Sequence, residues 1–279
     1  MNLMKAYFFV PSDRADFLVK ARELNYDELI IDFEDSIQLS DVKVSLKNLD
    51  QYGRHDEDWI RISTQNDFEP YLDQIISMGY TRFVLPKIAN LIHLERLLNE
   101  TLEKVKNLRL IILVENPEIY LSLKSILSKW STSINGIAFG SHDFCSLLDL
   151  KHDLKLLESV RLELRILAGM FNKEVIDVAS MNISEKDSFQ DEIRSGFDLG
   201  FRSKFIIHPF QLDILNQFPF YNEIEVADSI EILGHLKDGK QQNAVITHRG
   251  KIYEKPHINR LLEIKNWGKS YYGIDRKIL

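Results

Sequence analysis

The feature that most constrains the fold is a series of short apolar segments, most of which run directly into a cluster of polar residues. Such segments, separated by longer stretches of helical pattern, are typical of β-strands that alternate with helices around a parallel sheet. Eight strands are predicted, which is the number that closes a (β/α)8 barrel. They lie near residues 6–10, 28–33, 58–62, 82–86, 109–114, 134–139, 175–179 and 204–208.

Helical periodicity fills the stretches between these strands. Asp13 is predicted to cap a helix that runs to about Leu24, and Pro117 suits the first turn of the helix after the fifth strand. The alternative fold is a doubly wound open sheet, which requires a Gly-rich phosphate loop after the first strand, and residues 11–14 do not form one. The other helices are predicted at 40–49, 71–78, 91–104, 117–129, 156–171 and 187–199.

The predicted fold class is α/β, with a (β/α)8 TIM barrel in residues 1–220 and a C-terminal extension in residues 221–279. The extension combines a helix, a hairpin that turns at Arg249 and Gly250, and a last helix that Pro256 opens. It carries more apolar residues than a solvated tail needs, so it is predicted to be a lid over a barrel mouth or an oligomer contact.

Composition excludes several classes of partner. A formal net charge of −7, with Lys and Arg scattered along the chain, argues against nucleic-acid binding. Cys145 is the single cysteine, so no disulfide and no thiolate metal site are expected, and it is interpreted as a small packed residue. No signal peptide and no apolar run of roughly 20 residues is visible, which predicts a cytoplasmic protein without a membrane partner.

In a parallel barrel the carboxyl ends of all strands open on one face, so polar residues that are distant in sequence converge there. This concentration of polar and charged residues at one rim of the barrel predicts an enzyme. Glu115 and Asp143 follow two adjacent strands, and two rim carboxylates suit Mg²⁺, which leaves positions for water and substrate. The alternative is that both are ordinary carboxylates that cap helices or pair with Lys.

Three further groups of rim residues are candidates for chemistry. Arg61 ends the third strand, and its planar fork suits a substrate carboxylate, or else pairs with Asp32 or Glu34. Asp32, Glu34 and Asp35 must be neutralised by a cation or a proton. They would orient metal-bound waters, supply a base, or pair with Lys87 and Arg14.

The histidines indicate function less clearly than the rim carboxylates and Arg61 do. His208 ends the last strand and is either a general acid–base or a structural residue. The other histidines lack ligand spacing with one another, so no zinc site is assigned. Gly140 allows the backbone to pass close to a bound ligand.

Eight motifs, in order along nearly the whole chain, resemble those of the citrate lyase β-subunit-like (CitE-like) proteins of the HpcH/HpaI aldolase family. They are YFFVPSDR at 7–14, IIDFEDS at 30–36, WIRIS at 59–63, LPK at 85–87, LVE at 113–115, FGSHDF at 139–144, GFRSK at 200–204 with IHPFQ at 207–211, and GKI at 250–252 with EKPH at 254–257.

The resemblance implies a TIM barrel in which Glu115 and Asp143 hold Mg²⁺ and Arg61 holds the carboxylate of a 2-oxo or hydroxy acid. Family members make or break a carbon–carbon bond between an acyl thioester enolate and a 2-oxo acid, commonly as homo-oligomers such as trimers or hexamers. The expected catalytic residues are Arg61, Asp32, Glu34 and Asp35. The expected substrate-binding residues are Arg61, Arg14, Lys87, Gly140 and Ser141.

Four positions depart from the family pattern. Ser63 replaces Asn, Asn116 replaces Thr, and Asp149 and Ser203 each replace Gly. The metal and Arg positions remain, whereas these changes leave open the substrate and the use of coenzyme A.

Three functions follow from these residues. The first is a Mg²⁺-dependent lyase that acts on a citryl, malyl or citramalyl type of acyl thioester. The second is a thioesterase or a coenzyme A-independent aldolase on the same metal site. The third is a subunit of low activity that serves as a binding partner in a larger complex.

Overall fold

A computed structural model of the chain describes residues 2–63, 69–238 and 245–273. The chain divides into two compact units. One is Met4–Asn216, and the other is Gln217–Leu279 together with the first three residues.

The first unit contains eight strands that alternate with helices. Each neighbouring pair of strands is parallel, as expected when helices connect them. The strands are β1 Lys5–Pro11, β2 Glu28–Phe33, β3 Trp59–Ile62, β4 Arg82–Leu85, β5 Arg109–Val114, β6 Ile134–Phe139, β7 Glu174–Ile176 and β8 Ser203–Ile206.

The helices of this unit follow the strands in turn. They are α1 Ala15–Ala21, α2 Val42–Tyr52, α3 Glu69–Ser77, α4 Leu91–Lys104, α5 Pro117–Lys129, α6 Ser141–Leu147, α7 Glu158–Met170, α8 Lys186–Asp198 and α9 Pro209–Asn216.

The sheet closes on itself. Its order is β7-β6-β5-β4-β3-β2-β1-β8, and a parallel bridge between Asp177 and Lys204 joins the two outer strands. Two backbone hydrogen bonds make this join: Asp177 N–H donates to Ser203 (2.8 Å), and Phe205 N–H donates to Asp177 (3.2 Å). The predicted (β/α)8 barrel is therefore confirmed, and the open doubly wound sheet is excluded.

The barrel interior is filled by side chains, as in other closed eight-stranded barrels. Each strand contributes at least one buried residue to one apolar cluster, because alternate side chains of a strand point inward. The cluster contains Tyr7, Ile30, Trp59, Val84, Ile111, Leu113, Ala138, Ile176 and Phe205. These side chains form a packed core rather than a pore.

The predicted elements match the observed ones with a few exceptions. The predicted cap by Asp13 is wrong, because α1 begins after Arg14 without a side-chain cap and ends at Ala21. Strand β7 ends at Ile176 rather than near residue 179, since the chain makes only a single bridge to β8 beyond that point. Helices α6 and α9 were not predicted, because both are short and directly follow strand-end motifs.

A buried ion pair connects α7 to the closure of the barrel. Arg161 donates from Nε and Nη2 to the two oxygens of Asp177 at 3.1 Å and 2.8 Å, and neither side chain is exposed. Lys204 Nζ lies 3.9 Å from the same carboxylate and donates to the carbonyl of Val178. Burial lowers the pKa of Lys204. These charges are stable in the interior only because they are paired.

The second unit packs two helices, α10 Glu223–Asp238 and α11 Ile258–Tyr272, around a small core of Ile232, Leu233 and Leu261. Between them lies a hairpin of β9 Ile246–His248 and β10 Lys251–Tyr253. Its turn is at the predicted residues Arg249 (φ 47°) and Gly250 (φ 76°), and two positive φ angles are typical of the type I′ turn.

In the part of the chain that the structure describes, no helix is both long enough and apolar enough to cross a membrane.

We expect Asp177→Ala to lower the unfolding free energy by about 3–5 kcal/mol, because it leaves a buried guanidinium without its partner. The matched control is Asp73→Ala, which breaks the exposed ion pair of Asp73 with Lys104 (2.7 Å) and is expected to cost about 1 kcal/mol or less. Urea unfolding measures both, and equal losses would contradict the structural role of the buried pair.

Candidate active site

A cavity of about 470 Å³ lies at the carboxyl ends of the barrel strands. Its walls combine aromatic and aliphatic side chains with charged groups, the usual character of a small-molecule site. The charged residues that line it are Asp32, Asp35, Arg61, Glu115 and Asp143. These are five of the residues singled out in the sequence, and the structure brings them together as predicted.

Arg61 points from the end of β3 into this cavity, with its guanidinium 4.8 Å above the ring of Phe9. It pairs with Asp32 on the neighbouring strand β2, where Nε and Nη2 each donate to one carboxylate oxygen at 2.7 Å. This is the pairing that the sequence left open as an alternative to substrate binding. A guanidinium carries five N–H donors, so the pair with Asp32 occupies only two of them.

The loop after β2 adds two carboxylates beside Arg61. Its Nη1 lies 3.2 Å from Glu34 and 3.4 Å from Asp35. Lys87 Nζ pairs with both of these carboxylates from the end of β4. The acidic cluster is thus partly neutralised by Arg61 and Lys87, whereas Arg14, the other partner that the sequence offered, pairs with Asp16.

The backbone of Lys87 itself adopts an uncommon conformation. Its φ of 46° lies in the left-handed region, which costs a non-glycine residue free energy and is often found at functional sites. In this conformation its backbone N–H donates to the carboxylate of Glu115. One residue therefore orients Glu115 through its main chain and Glu34 through its side chain.

Glu115 directly follows β5, and Asp143 lies in the first turn of α6, after β6. Gly140 separates β6 from α6, and a Cβ atom at this position would collide with the side chain of Glu115. A glycine is required here because the backbone passes directly against the buried carboxylate. The Glu115 residue is 5% exposed, whereas Asp143 is exposed.

Burial raises the pKa of Glu115 to about 7, and the negative charges of Asp143 and Glu34 add to the effect of burial. Burial likewise raises the pKa of Glu34 to about 7, although Arg61 and Lys87 oppose the shift. Both groups therefore sit in surroundings that disfavour their negative charge. A divalent cation between Glu115 and Asp143 would remove that penalty for Glu115.

The donor atoms of Glu115 and Asp143 fit Mg²⁺. The Glu115–Asp143 pair supplies two hard oxygen donors at the cavity wall. Mg²⁺ prefers oxygen ligands and binds through one or two carboxylates with its other positions open. The donor set matches that preference.

Two histidines stand beside Ser141 at the cavity rim. Ser141 Oγ is 2.9 Å from His152 Nε2, and the His152 ring stacks on His142 with centroids 3.8 Å apart. Burial, followed by the neighbouring His142, lowers the pKa of His152. Ser141 and Gly140 both line the cavity, and contact of these residues with substrate stays a prediction.

Glu34 and Lys87 contact the lining residues Arg61 and Asp35 but do not themselves line the cavity, and neither do Arg14, His208 and Cys145. Arg14 pairs with Asp16 (3.2 Å) and lies 3.9 Å above the ring of Phe17. His208 accepts a hydrogen bond from the N–H of Phe210 through Nδ1, which fits the structural interpretation. Cys145 is buried, as expected for a small packed residue.

Sequence reasoning missed the apolar wall of the site. The Phe9 ring lies under the guanidinium of Arg61, and Ala179 and Met181 line the cavity after β7. The alternation of β1 places Phe9 on the same inward face as Tyr7, a signal that could have found it. The loop after β7 carries no comparable pattern.

Two of the four departures from the family pattern make local side-chain hydrogen bonds. Asn116 caps α5 by accepting from the N–H of Ile119 (2.9 Å), and Ser203 Oγ donates to Glu174. Asp149 has a φ of 51°, the conformation that suits glycine. None of the four departing residues lines the cavity in the described part of the chain, so they do not alter its walls.

A profile of the HpcH/HpaI aldolase/citrate lyase family matches residues 5–209, which is most of the chain. The chain belongs to this family. The name describes carbon–carbon lyases, so the prediction of an enzyme in that class is confirmed.

Two groups of characterised proteins are similar along nearly their whole length. A (3S)-malyl-CoA thioesterase of Cereibacter sphaeroides (strain KD131) is 25% identical over 91% of this chain and 90% of its own. The citrate lyase subunit beta of Leuconostoc mesenteroides is 22% identical over 98% of this chain and 96% of its own.

Solved structures share the fold. CitE from Mycobacterium tuberculosis in complex with magnesium, acetoacetate and coenzyme A has a TM-score of 0.80 at 19% identity, covering 95% of this chain and 98% of that one. A citrate lyase beta subunit from M. tuberculosis with oxaloacetate and magnesium has a TM-score of 0.67 at 20% identity, covering 79% and 98%. The predicted cofactor, Mg²⁺, is the metal in both of these structures.

The raised pKa of Glu115 makes a prediction for the metal-free protein. Its folded pKa of about 7 exceeds the usual 4.5, so the neutral carboxyl favours folding below pH 4.5 and this contribution is lost as the pH rises through about 7. Glu115→Gln stays neutral. Its unfolding free energy relative to wild type is expected to increase between about pH 5 and pH 8, by on the order of 2–3 kcal/mol.

Chemical unfolding in the presence of a chelator measures this difference at each pH. Glu100→Gln, which removes an exposed carboxylate on α4, is the matched control and is expected to follow the wild-type curve. A Glu115→Gln curve parallel to wild type across this range would contradict the proposed burial of an ionisable Glu115.

Proposed function

We propose that the protein is a Mg²⁺-dependent lyase that cleaves a malyl, citramalyl or citryl type of acyl thioester into a 2-oxo acid and an acyl thioester, or catalyses the reverse reaction. One observation carries the proposal: the fork of Arg61 and the carboxylates of Glu115 and Asp143 line a single cavity. Arg61 can recognise a carboxylate and its adjacent oxygen, and Glu115 and Asp143 can hold the metal.

Glu115 and Asp143 would hold Mg²⁺, which supplies a Lewis acid that polarises the substrate oxygen and fixes its orientation. Gly140 leaves the space beside Glu115 that this arrangement needs, and Lys87 holds Glu115 through its backbone N–H. The carboxylate of the acid half of the substrate is proposed to accept from the donors of Arg61 that neither Asp32 nor Asp35 uses.

Arg61 also serves the transition state. As the carbon–carbon bond breaks, the hydroxyl oxygen of the substrate becomes a carbonyl and loses its proton, and the electron pair of the broken bond moves to the thioester as an enolate. In the reverse direction, negative charge develops on that oxygen beside Arg61. A donor that is already oriented by Asp32 stabilises this charge without reorganising.

The acidic cluster is proposed to move the proton. Glu34 is the strongest candidate because its pKa of about 7 is close to neutral pH, where a group can both accept and donate. Asp35 pairs with the same Lys87 and lines the cavity, so it is proposed to share this role. A carboxylate from a neighbouring subunit is the alternative source of the base.

A second candidate function is hydrolysis of the thioester after cleavage, and the similarity to (3S)-malyl-CoA thioesterase supports it. The same cavity would then hold the acyl thioester product while water attacks its carbonyl carbon and releases a free acid and coenzyme A. Two further functions compatible with the same cavity are those of a coenzyme A-independent aldolase and of a low-activity subunit in a larger complex.

Product analysis of the purified protein separates these functions. We expect incubation with Mg²⁺ and malyl, citramalyl or citryl coenzyme A to release a 2-oxo acid together with an acyl thioester. Free coenzyme A would indicate the thioesterase, and cleavage of the free hydroxy acid would indicate the aldolase. Absence of turnover with every substrate would favour the binding subunit.

Asp143→Asn, which keeps the shape of the side chain and weakens the metal site, is expected to abolish turnover.

Arg61→Lys keeps the positive charge and removes the fork. We expect kcat/KM to fall on the order of 10²-fold or more, because a lysine cannot hold Asp32 and the substrate together and provides a less oriented donor. Steady-state kinetics with the best substrate measures this loss. The control is Arg54→Lys, an exposed arginine that pairs with Glu57, and an Arg61→Lys variant as active as this control would contradict the role of Arg61.

The C-terminal extension is proposed to complete the site in an oligomer, either as a lid or as a contact between subunits. A lid excludes water from a reactive enolate. Truncation before Asn222 is therefore expected to lower turnover and oligomeric order together. Light scattering and kinetics of the truncated protein would contradict this role if both stayed at the full-length values.

A further inference from the structure

A second cluster of metal-ligating residues lies in the C-terminal unit and shares no residue with the barrel cavity. Asp228 and Glu231 are three residues apart on α10 and therefore share one face of the helix. His248 ends strand β9 and faces them from the hairpin. One possible ligand atom from each residue lies within 4.8 Å of the other two.

Two of these atoms are buried without a hydrogen-bond partner. They are Asp228 Oδ1 and His248 Nε2, and they lie 3.2 Å apart without making a hydrogen bond to each other. The His248 side chain is only 11% exposed, so water does not readily replace the missing partner. Buried polar atoms are normally satisfied, and a pair of unsatisfied atoms facing each other calls for a shared partner.

The spacing of this pair fits a common metal ion. Zinc binds nitrogen and carboxylate oxygen at about 2.0–2.2 Å, so two ligand atoms on one tetrahedral or octahedral ion lie roughly 3.0–3.5 Å apart. The observed 3.2 Å falls within that range. Glu231 Oε1 lies 3.7 Å from the other nitrogen of His248 and is on an exposed side chain that can turn towards the ion.

Two other charged or titratable groups face the cluster. Arg249 Nη2 lies 3.1 Å from Asp228 Oδ1, but its side chain is 63% exposed and belongs to the hairpin turn, so it can move into solvent. His235 Nε2 lies 3.8 Å from Glu231 Oε1, one helical turn further along α10. Arg249 is therefore a competing cation, and His235 is a further nitrogen within reach.

We propose that Asp228, Glu231 and His248 bind a divalent transition-metal ion of the zinc class, which fastens the β9–β10 hairpin to α10. An imidazole nitrogen with carboxylate oxygens suits such an ion, whereas Mg²⁺ prefers an all-oxygen set. Three protein ligands leave one position for water or for His235. The proposed site does not include Glu115 or Asp143, so its test does not depend on whether the proposed lyase reaction is correct.

Equilibrium dialysis of the full-length protein against Zn²⁺ tests the proposal. We expect His248→Gln and Asp228→Asn each to lower the affinity of one Zn²⁺ site at least about 100-fold, since even loss of a residue behind the ligands costs 10–100-fold. Glu115→Gln is expected to leave this site intact. His55→Gln removes an exposed histidine of the barrel and is the matched control.

Arg249→Ala gives a second, opposite prediction. Removal of the competing cation is expected to strengthen Zn²⁺ binding roughly two- to fivefold, the range of an exposed ion pair. Pulsed electron paramagnetic resonance with less than one equivalent of Cu²⁺ as the probe should detect imidazole nitrogen in His235→Gln, which removes the other nearby imidazole. That signal should disappear in the double variant His235→Gln/His248→Gln and persist in His235→Gln/His55→Gln. Hydrogen exchange of residues 246–253 should slow when Zn²⁺ is added to wild type and not to His248→Gln.

An unchanged Zn²⁺ stoichiometry in both His248→Gln and Asp228→Asn would overturn the proposal, as would a copper spectrum that keeps its nitrogen signal in the double variant His235→Gln/His248→Gln. The same variants must unfold at the wild-type temperature in a chelator, which separates loss of the metal from loss of the fold. Where one variant fails this condition, Glu231→Gln on the exposed side of the cluster replaces it with the same expected loss of affinity.

Discussion

Closure of eight parallel strands into a ring is the constraint on which the rest of the barrel depends. The first and last strands of the sheet order meet through a single bridge between Asp177 and Lys204, and a buried salt bridge to Arg161 holds that end in place. Once the ring is closed, the carboxyl ends of all strands share one rim. Residues of β2, β3, β5 and β6 then line the same cavity.

The electrostatics of the cavity follow from this convergence. Among the described residues, five carboxylates at the rim face the cations of Arg61 and Lys87. Burial raises the pKa of Glu115 and of Glu34 to about 7, so the excess negative charge is not fully offset by the protein. A divalent cation would offset it where it is most costly, next to Glu115. The same imbalance leaves Glu34 suited to proton transfer.

Strain and close packing support this arrangement. Lys87 adopts a left-handed backbone that directs its N–H at Glu115, and Gly140 keeps the space against that carboxylate free of a side chain. Both positions follow the ends of strands, where the backbone leaves the regular ladder. The active-site geometry is therefore determined by short segments that the rigid barrel holds in place.

Much of the fold and the site could be predicted from the sequence, because parallel strands leave a strong periodic pattern and their ends carry the polar residues. The sequence by itself determined the number of strands, the shared rim, and the convergence of Arg61, Glu115 and Asp143. Only the tertiary structure decided that Asp32 occupies part of the Arg61 fork and that Arg14 pairs with Asp16 instead. It also placed His248 against Asp228, although 20 residues separate them in sequence. Such contacts depend on loop paths and side-chain rotamers, which arise from packing between distant segments and leave no period in the chain.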